Sequence, residues 1–178
     1  VKSSIVDYFP IQVASSTSLV LTAFSKSLWY SIDQGDNWVN LNLSSLPTTA
    51  IITTISLSAD GTFGLIGTDS GLYLLSTLVD SAPALSDSVL SYHITSIAIS
   101  DGDIAIVGTN NDGIHISSNL GLAWSQSNTN TPISTPLSSI HISSNGLRGV
   151  AIADNTFYSS SDSGQNWIKD TNVIMVNC

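Results

Sequence analysis

Residues 31–38 read SIDQGDNW, and the same residue types return at the same spacing in SSNLGLAW (117–124) and SSDSGQNW (160–167). The tryptophans that close these stretches, Trp38, Trp124 and Trp167, stand 86 and 43 residues apart, so the unit length is about 43 and one copy lacks the motif. That copy falls at LLSTLVDSAPALSDS (74–88), where Ser76 and Thr77 follow a strand-like run but the Gly and Trp are missing.

Two further series keep the same period. ITTISLSADGT (52–62), ITSIAISDGDI (94–104) and LSSIHISSNGL (137–147) alternate apolar with hydroxyl residues and then reach Asp60-Gly61, Asp101-Gly102 or Asn145-Gly146. Asp-Gly and Asn-Gly predict two-residue hairpin turns with positive φ at both central positions. GLIGTDSGLYLLS (64–76) then matches AIVGTNNDGIHISS (105–118), with Gly67-Thr68 over Gly108-Thr109 and Gly71 over Gly113. Each unit therefore predicts four short antiparallel strands, with the Trp motif turning the third into the fourth. No segment has helical periodicity. Four strands per 40 to 50 residues is the pattern of a propeller blade, so the expectation is an all-β fold: a single β-propeller domain over 1–178 of about four four-stranded blades, an incomplete or fragmentary propeller included. The repeats are set at about 9–47, 48–92, 93–136 and 137–171, with 1–8 and 172–178 (NVIMVNC) as unpaired or closing terminal strands, the first resting on the strand-like SSIVDYF (3–9).

The motif has a direct chemical reading as a turn. Asp33, Asn119 and Asp162 can accept hydrogen bonds from backbone N–H groups that a tight reversal leaves unpaired. Gly35, Gly121 and Gly164 supply positive φ, and Ser31, Ser117 and Ser160 add a hydroxyl at the loop entrance. Trp38, Trp124 and Trp167 are expected to fold beneath the turn and seal the blade edge. Asn in the second copy is a poor ligand for a hard cation and a poor general acid, and an active site is needed once rather than three times. The motif is accordingly read as structural, with no catalytic, cofactor-binding or metal-ligating residue assigned.

Ser-x-Asp-x-Gly-x-x-Trp resembles the Asp-box of the bacterial neuraminidase repeat superfamily, which includes sialidase-like, xyloglucanase-like, sortilin-like and photosystem II assembly factor-like propellers. The resemblance covers three of the four repeats and, with the flanking GT…G strands, nearly the whole chain. It implies that the box is a folding element lying away from any substrate site. A sialidase-type site needs three arginines, a tyrosine nucleophile and a paired Glu; this chain has Arg148 alone and no Glu. A xyloglucanase-type site needs two facing Asp residues, for which Asp7, Asp80, Asp87, Asp101, Asp103 and Asp154 are candidates outside the boxes. Asp101 is read as a hairpin residue and the others as solvated.

Composition bounds the function. Charged residues are 10% of the chain, the net charge is -9, and Lys2, Lys26, Arg148 and Lys169 are its strong cations. Such a surface repels nucleic-acid phosphates and anionic lipid, and no apolar run is long enough to span a membrane as a helix. Every acidic residue is Asp, which favours turns over helices. Roughly a quarter of the residues are Ser or Thr, well above ordinary usage, so the polar surface is hydroxyl and amide, as suits an extracellular or cell-surface protein. Asn42-Leu43-Ser44 is an N-glycosylation sequon. The start at Val1 suggests a processed form or a piece of a longer chain, and Cys178 has three readings left open: an intermolecular disulfide, pairing with a missing segment, or an idle thiol.

His93, His115 and His141 lack ligand spacing and are read as blade-surface filling; a calcium loop of the D-x-D-x-D-G type is missing, and SDGDI (100–104) and TNNDGI (109–114) are read as able to bind an ion weakly at most. Trp29, Tyr30, Tyr73, Tyr92 and Tyr158 are read as aromatics that are exposed and able to stack on sugars, or that pack between blades. Partner-less strands at both ends invite pairing with another chain, leaving three arrangements: ends that meet, a fragment of a larger propeller, or strand exchange between subunits. The expected function is a non-catalytic extracellular module with a structural, self-assembly or protein-docking role, with a glycan-binding module or a fragment of an Asp-box glycoside hydrolase as the alternative.

Overall fold

A computed structural model describes residues 10–13, 18–24, 26–41, 43, 46–76, 84–129, 133 and 135–171, with the side chains of 12, 13, 24, 76 and 84–89 outside the description. The terminal strands read at 1–8 and 172–178, Asp7, Thr77, Asp80, the side chain of Asp87, Asn42 and Cys178 all lie outside it.

The chain folds as an all-β propeller. The described residues form seventeen strands in four sheets and contain no helix, hence none long and apolar enough to cross a membrane. The first sheet is a meander of β1 (Ile11–Val13), β2 (Val20–Phe24), β3 (Ser27–Ser31) and β4 (Val39–Leu41). The second contains β5 (Ile52–Leu57), β6 (Phe63–Thr68), β7 (Leu72–Ser76) and β8 (Ala84–Leu90), and the third β9 (Ile94–Ile99), β10 (Ala105–Thr109), β11 (Ile114–Ser117) and β12 (Ser125–Gln126). The fourth, β14 (Leu137–Ile142), β15 (Gly149–Ala153), β16 (Thr156–Ser160) and β17 (Asn166–Lys169), gains a fifth member: β13 (Asn128–Thr129) leaves the third sheet and pairs parallel to β17. Four strands per blade therefore holds for three sheets. The addition covers the outer edge of the fourth, an edge otherwise left with open N–H and C=O groups.

Alternation produces these strands, but the inner strands of the second, third and fourth blades each interrupt it at one place. The ladders β5–β6, β9–β10 and β14–β15 skip Thr53, Thr95 and Ser138 in turn. These bulged residues are all hydroxylic and use the hydroxyl on a carbonyl: Thr53 Oγ1 donates to Ile94 O at 2.6 Å, Thr95 Oγ1 to Gly108 O at 3.1 Å and Ser138 Oγ to Ile152 O at 3.1 Å. A bulge bends a strand and increases its twist, so the same device recurs from blade to blade.

The hairpin turns after the inner strands differ from expectation. Asp60, Asp101 and Asn145 are not at positive φ; only Gly61 (68°) and Gly146 (72°) are. The closing pairs are wider, with Ser58 N donating to Phe63 O, Ser100 N to Ile104 O and Ser143 N to Arg148 O. The reason is a preceding serine: Ser58 Oγ donates to Asp60 Oδ1 and Ser143 Oγ to Asn145 Oδ1, while each hydroxyl also accepts the N–H of the residue that closes the loop. This alternative bonding favours a longer turn. The two-residue turn with positive φ at both positions occurs elsewhere, at Asp154 (45°) and Asn155 (55°) between β15 and β16. Asp154 is thus a turn former rather than an isolated solvated acid.

Three apolar cores lie between successive blades. Leu21, Leu28, Ile55, Ile66 and Leu75 join the first to the second, Leu65, Leu72, Ile94 and Val107 the second to the third, and Ile106, Ile116, Leu137, Ile140 and Trp167 the third to the fourth. The inner strands pack in a row, β1 on β5, β5 on β9 and β9 on β14. No fourth core joins the fourth blade to the first among the described residues. Close approach along this row falls at Gly67, where a Cβ would lie 2.7 Å from Ile94 Cγ2, and at Gly108, where it would lie 2.8 Å from Leu137 Cβ.

Candidate functional site

The three motif loops are built on one hydrogen-bond plan. Ser31 Oγ donates to Asp33 Oδ1 (2.7 Å) and accepts the N–H groups of Asp33 (3.3 Å) and Gly35 (2.8 Å). The Asp33 carboxylate in turn accepts Asn37 N (2.8 Å) and Asn37 Nδ2 (2.6 Å). Ser160, Asp162, Gly164 and Asn166 repeat every one of these bonds. Ser117, Asn119, Gly121 and Ala123 repeat those that need no second amide. The serine, read from sequence as an added hydroxyl, is in fact the hub of the loop.

Gly35, Gly121 and Gly164 have φ of 99°, 80° and 86°, as the turn requires. The residue before each glycine is also left-handed: Gln34 (62°), Leu120 (58°) and Ser163 (63°). Each of these donates its N–H to the start of the second strand of its own blade, at Ser18, Asp103 and Leu147. Nothing in these side chains announces that conformation; the repeated bond to a neighbouring turn holds it.

These bonds set the electrostatics. Hydrogen bonds from the Asn37 side chain, then from Ser31 and the Asn37 backbone, lower the Asp33 pKa to about 2. Asp162 is lowered by the Asn166 side chain and backbone and by Ser160, and Asp60 by Ser58 and Thr62. A carboxylate held ionised by its own loop is a poor general acid at neutral pH.

The closing tryptophans separate the copies. Trp167 is buried in the third core at 1% exposure and Trp124 is half-buried against the second, each donating Nε1–H to the carbonyl of its loop glycine at 2.9 Å. Trp38 is 40% exposed, joins no core, and no counterpart of that bond is found for it among the described residues. It does not seal its blade.

Other candidates disperse. Tyr73 and Tyr158 are buried, and burial followed by the Asp154 charge raises the Tyr158 pKa, so neither is a sugar platform; Trp29 and Tyr92 are exposed and Tyr30 half-buried. His115 does more than fill a surface. It is buried, bonds Asp112 Oδ2 through Nε2 at 2.8 Å and lies with its ring 5.1 Å from that of Tyr92, whose pKa the Asp112 charge raises. His141 meets Ser139 Oγ at 3.1 Å on the exposed face. Asp101 and Asp103 precede β10 whereas Asp154 follows β15, placing them at opposite ends of equivalent strands. No group of three His, Cys, Asp or Glu able to hold a metal is found among the described residues. A cleft of about 350 Å³ beside the second motif loop is lined by Trp124, Gln126, Asn128 and Gln165 among others.

A scan against protein-family models and a search of curated proteins found no match. Solved structures do match. An ancestral GH74 enzyme has a TM-score of 0.75 and 16% identity over 92% of this chain and 24% of its own. A chain of the mitotic checkpoint complex has 0.70 and 12% over 91% and 49%, and a GH74 enzyme of Niastella koreensis 0.67 and 15% over 89% and 30%. The chain thus spans from about a quarter to about half the length of these structures, and identities of this size carry the fold alone, a β-propeller.

Proposed function

We propose that the three loops are Asp-boxes and that the protein is a non-catalytic, extracellular propeller module with a structural, self-assembly or protein-docking role. One observation carries this reading: the Ser, Asp and Asn groups of all three loops bond within their own turns, in three copies, so the most conspicuous polar residues of the chain are occupied in holding it folded. The low charge and hydroxyl-rich composition support an extracellular setting.

A second reading, a glycan-binding module or part of an Asp-box glycoside hydrolase, is favoured by the cleft beside Trp124, whose amide and indole lining suits a neutral sugar. Titration with a panel of soluble oligosaccharides, followed by tryptophan fluorescence, separates the two. The structural reading expects no saturable change. Saturable quenching that is lost in Trp124→Phe would replace it with the glycan reading.

A further inference from the structure

The three interfaces inside the chain show what each blade requires of its neighbour. The glycine of one motif loop sits against the second and third strands of the blade before it. A Cβ on Gly121 would lie 3.2 Å from Leu65 Cδ2 and 3.6 Å from Leu74 Cδ1 of the second blade; one on Gly164 would lie 2.5 Å from Ile106 Cδ1 and 3.5 Å from Ile116 Cδ1 of the third. Register makes these positions equivalent, since Leu65 pairs with Leu74 as Ile106 pairs with Ile116. The corresponding pairs are Leu21 with Tyr30 in the first blade and Val150 with Ser159 in the fourth.

Two halves of such an interface stand open. Leu21, Leu65 and Ile106 are 1%, 1% and 0% exposed, whereas Val150 in the same register is 44% exposed. On the receiving side a Cβ at Gly35 would meet, among the described residues, only its own Trp38, with nothing from another blade beside it. The aliphatic position lies at one end of the arc and the unoccupied loop at the other.

Resting on the reading of the chain as an assembly module, we propose that a second copy fills this gap: Val150 of one copy packs against the Gly35–Trp38 loop of the next, continuing the blade-to-blade contact head to tail. The occupant follows from the interfaces already present, because the chain itself presents the aliphatic residue at the register that Leu65 and Ile106 occupy internally. The contact joins unlike surfaces, so assemblies close into rings or extend as fibres according to the rotation per copy.

Sedimentation velocity over a concentration series tests this with Val150→Asp and Trp38→Glu, each checked for wild-type circular dichroism and melting. The wild type is expected to associate as concentration rises, with Trp38 emission shifting to the blue. A charge in an apolar contact is expected to weaken each variant's self-association by about tenfold or more. An equimolar mixture restores one contact, because Val150→Asp keeps the loop and Trp38→Glu keeps the aliphatic position, and it therefore forms a pair that grows no further. Three results would overturn the proposal: a wild-type monomer at all concentrations, folded variants that assemble as the wild type does, or a mixture that forms no pair. The second leaves a structural role standing and points to strand exchange, whereas saturable glycan binding removes the structural reading itself, so the two failures are distinguishable.

Discussion

The first and third motif loops make the same serine and aspartate bonds, yet the tryptophan that ends the first is 40% exposed and the one that ends the third 1%. The difference separates two sources of order. The serine and aspartate bonds come from residues within eight positions of one another and are the same whatever packs against the loop. Burial comes from packing: the Trp167 ring lies over Gly149 of its own blade within the core shared with the third, and Ile106 and Ile116 of that preceding blade close over Gly164, whereas Gly35 has no such neighbour among the described residues. A loop can thus be complete as a turn and unfinished as an interface.

Mutations at the paired positions should break the comparison in order of size. Trp167→Ala removes a buried ring from the core between the third and fourth blades and is expected to cost about 3 to 5 kcal/mol, whereas Trp38→Ala should cost well under half of that in a monomer. Thermal or denaturant melting reads both, and equal losses would show that the first tryptophan is buried after all. Gly164→Ala combines a left-handed backbone with a Cβ 2.5 Å from Ile106 Cδ1, for an expected loss of about 2 to 4 kcal/mol. Gly35→Ala meets the backbone term alone, about 1 kcal/mol. If both glycines cost the same, packing of the third loop on the preceding blade contributes nothing.

The smallest effects lie in the loop bonds. Asp162→Ala should lower stability by about 1 to 2 kcal/mol through lost turn bonds, and Asp162→Asn by less, since Asn119 supports the same turn. Acid sharpens the point. The folded loops hold Asp33 and Asp162 below their ordinary value of 3.8, Asp33 at about 2, so the unfolded chain takes up protons first. Their contribution is fully present above the unfolded value and is lost as pH falls through the folded one. Melting temperature should therefore fall between about pH 4 and pH 2, and the Asp33→Asn, Asp162→Asn double variant should show a shallower fall. An unchanged slope would assign the acid sensitivity to other carboxylates.

The repeat, the strand count and the motif loops were legible because each rests on residues close in sequence. The period of 43 between Trp124 and Trp167 is a property of letters, and so is alternation in ITSIAI. What stayed hidden depends on distant partners or on competition between nearby ones. Trp38, Trp124 and Trp167 are the same letter in the same frame, and their neighbours make them different: the Trp167 ring lies over Gly149 of its own blade, where a Cβ would meet it at 2.6 Å, and the first and third blades carry Val20 and Ala105 at that register. Asp60-Gly61 and Asn145-Gly146 were misread because a serine two positions before the Asx offers its hydroxyl and lengthens the turn. Asn128–Thr129 carries no strand pattern, and it pairs because β17 presents an open edge. Tyr73 and Tyr158 gave no sign of burial, since an alternating strand does not say which face another blade will cover.

Gly67 and Gly108 bear on the shape of any complete assembly. Where the second strand of one blade meets the inner strand of the next, the absence of a side chain lets backbone approach side chain closely, Gly67 against Ile94 and Gly108 against Leu137. A methyl group added at either position would have to displace Ile94 or Leu137, so the spacing of the second, third and fourth blades near their inner strands rests on two residues that have no side chain at all.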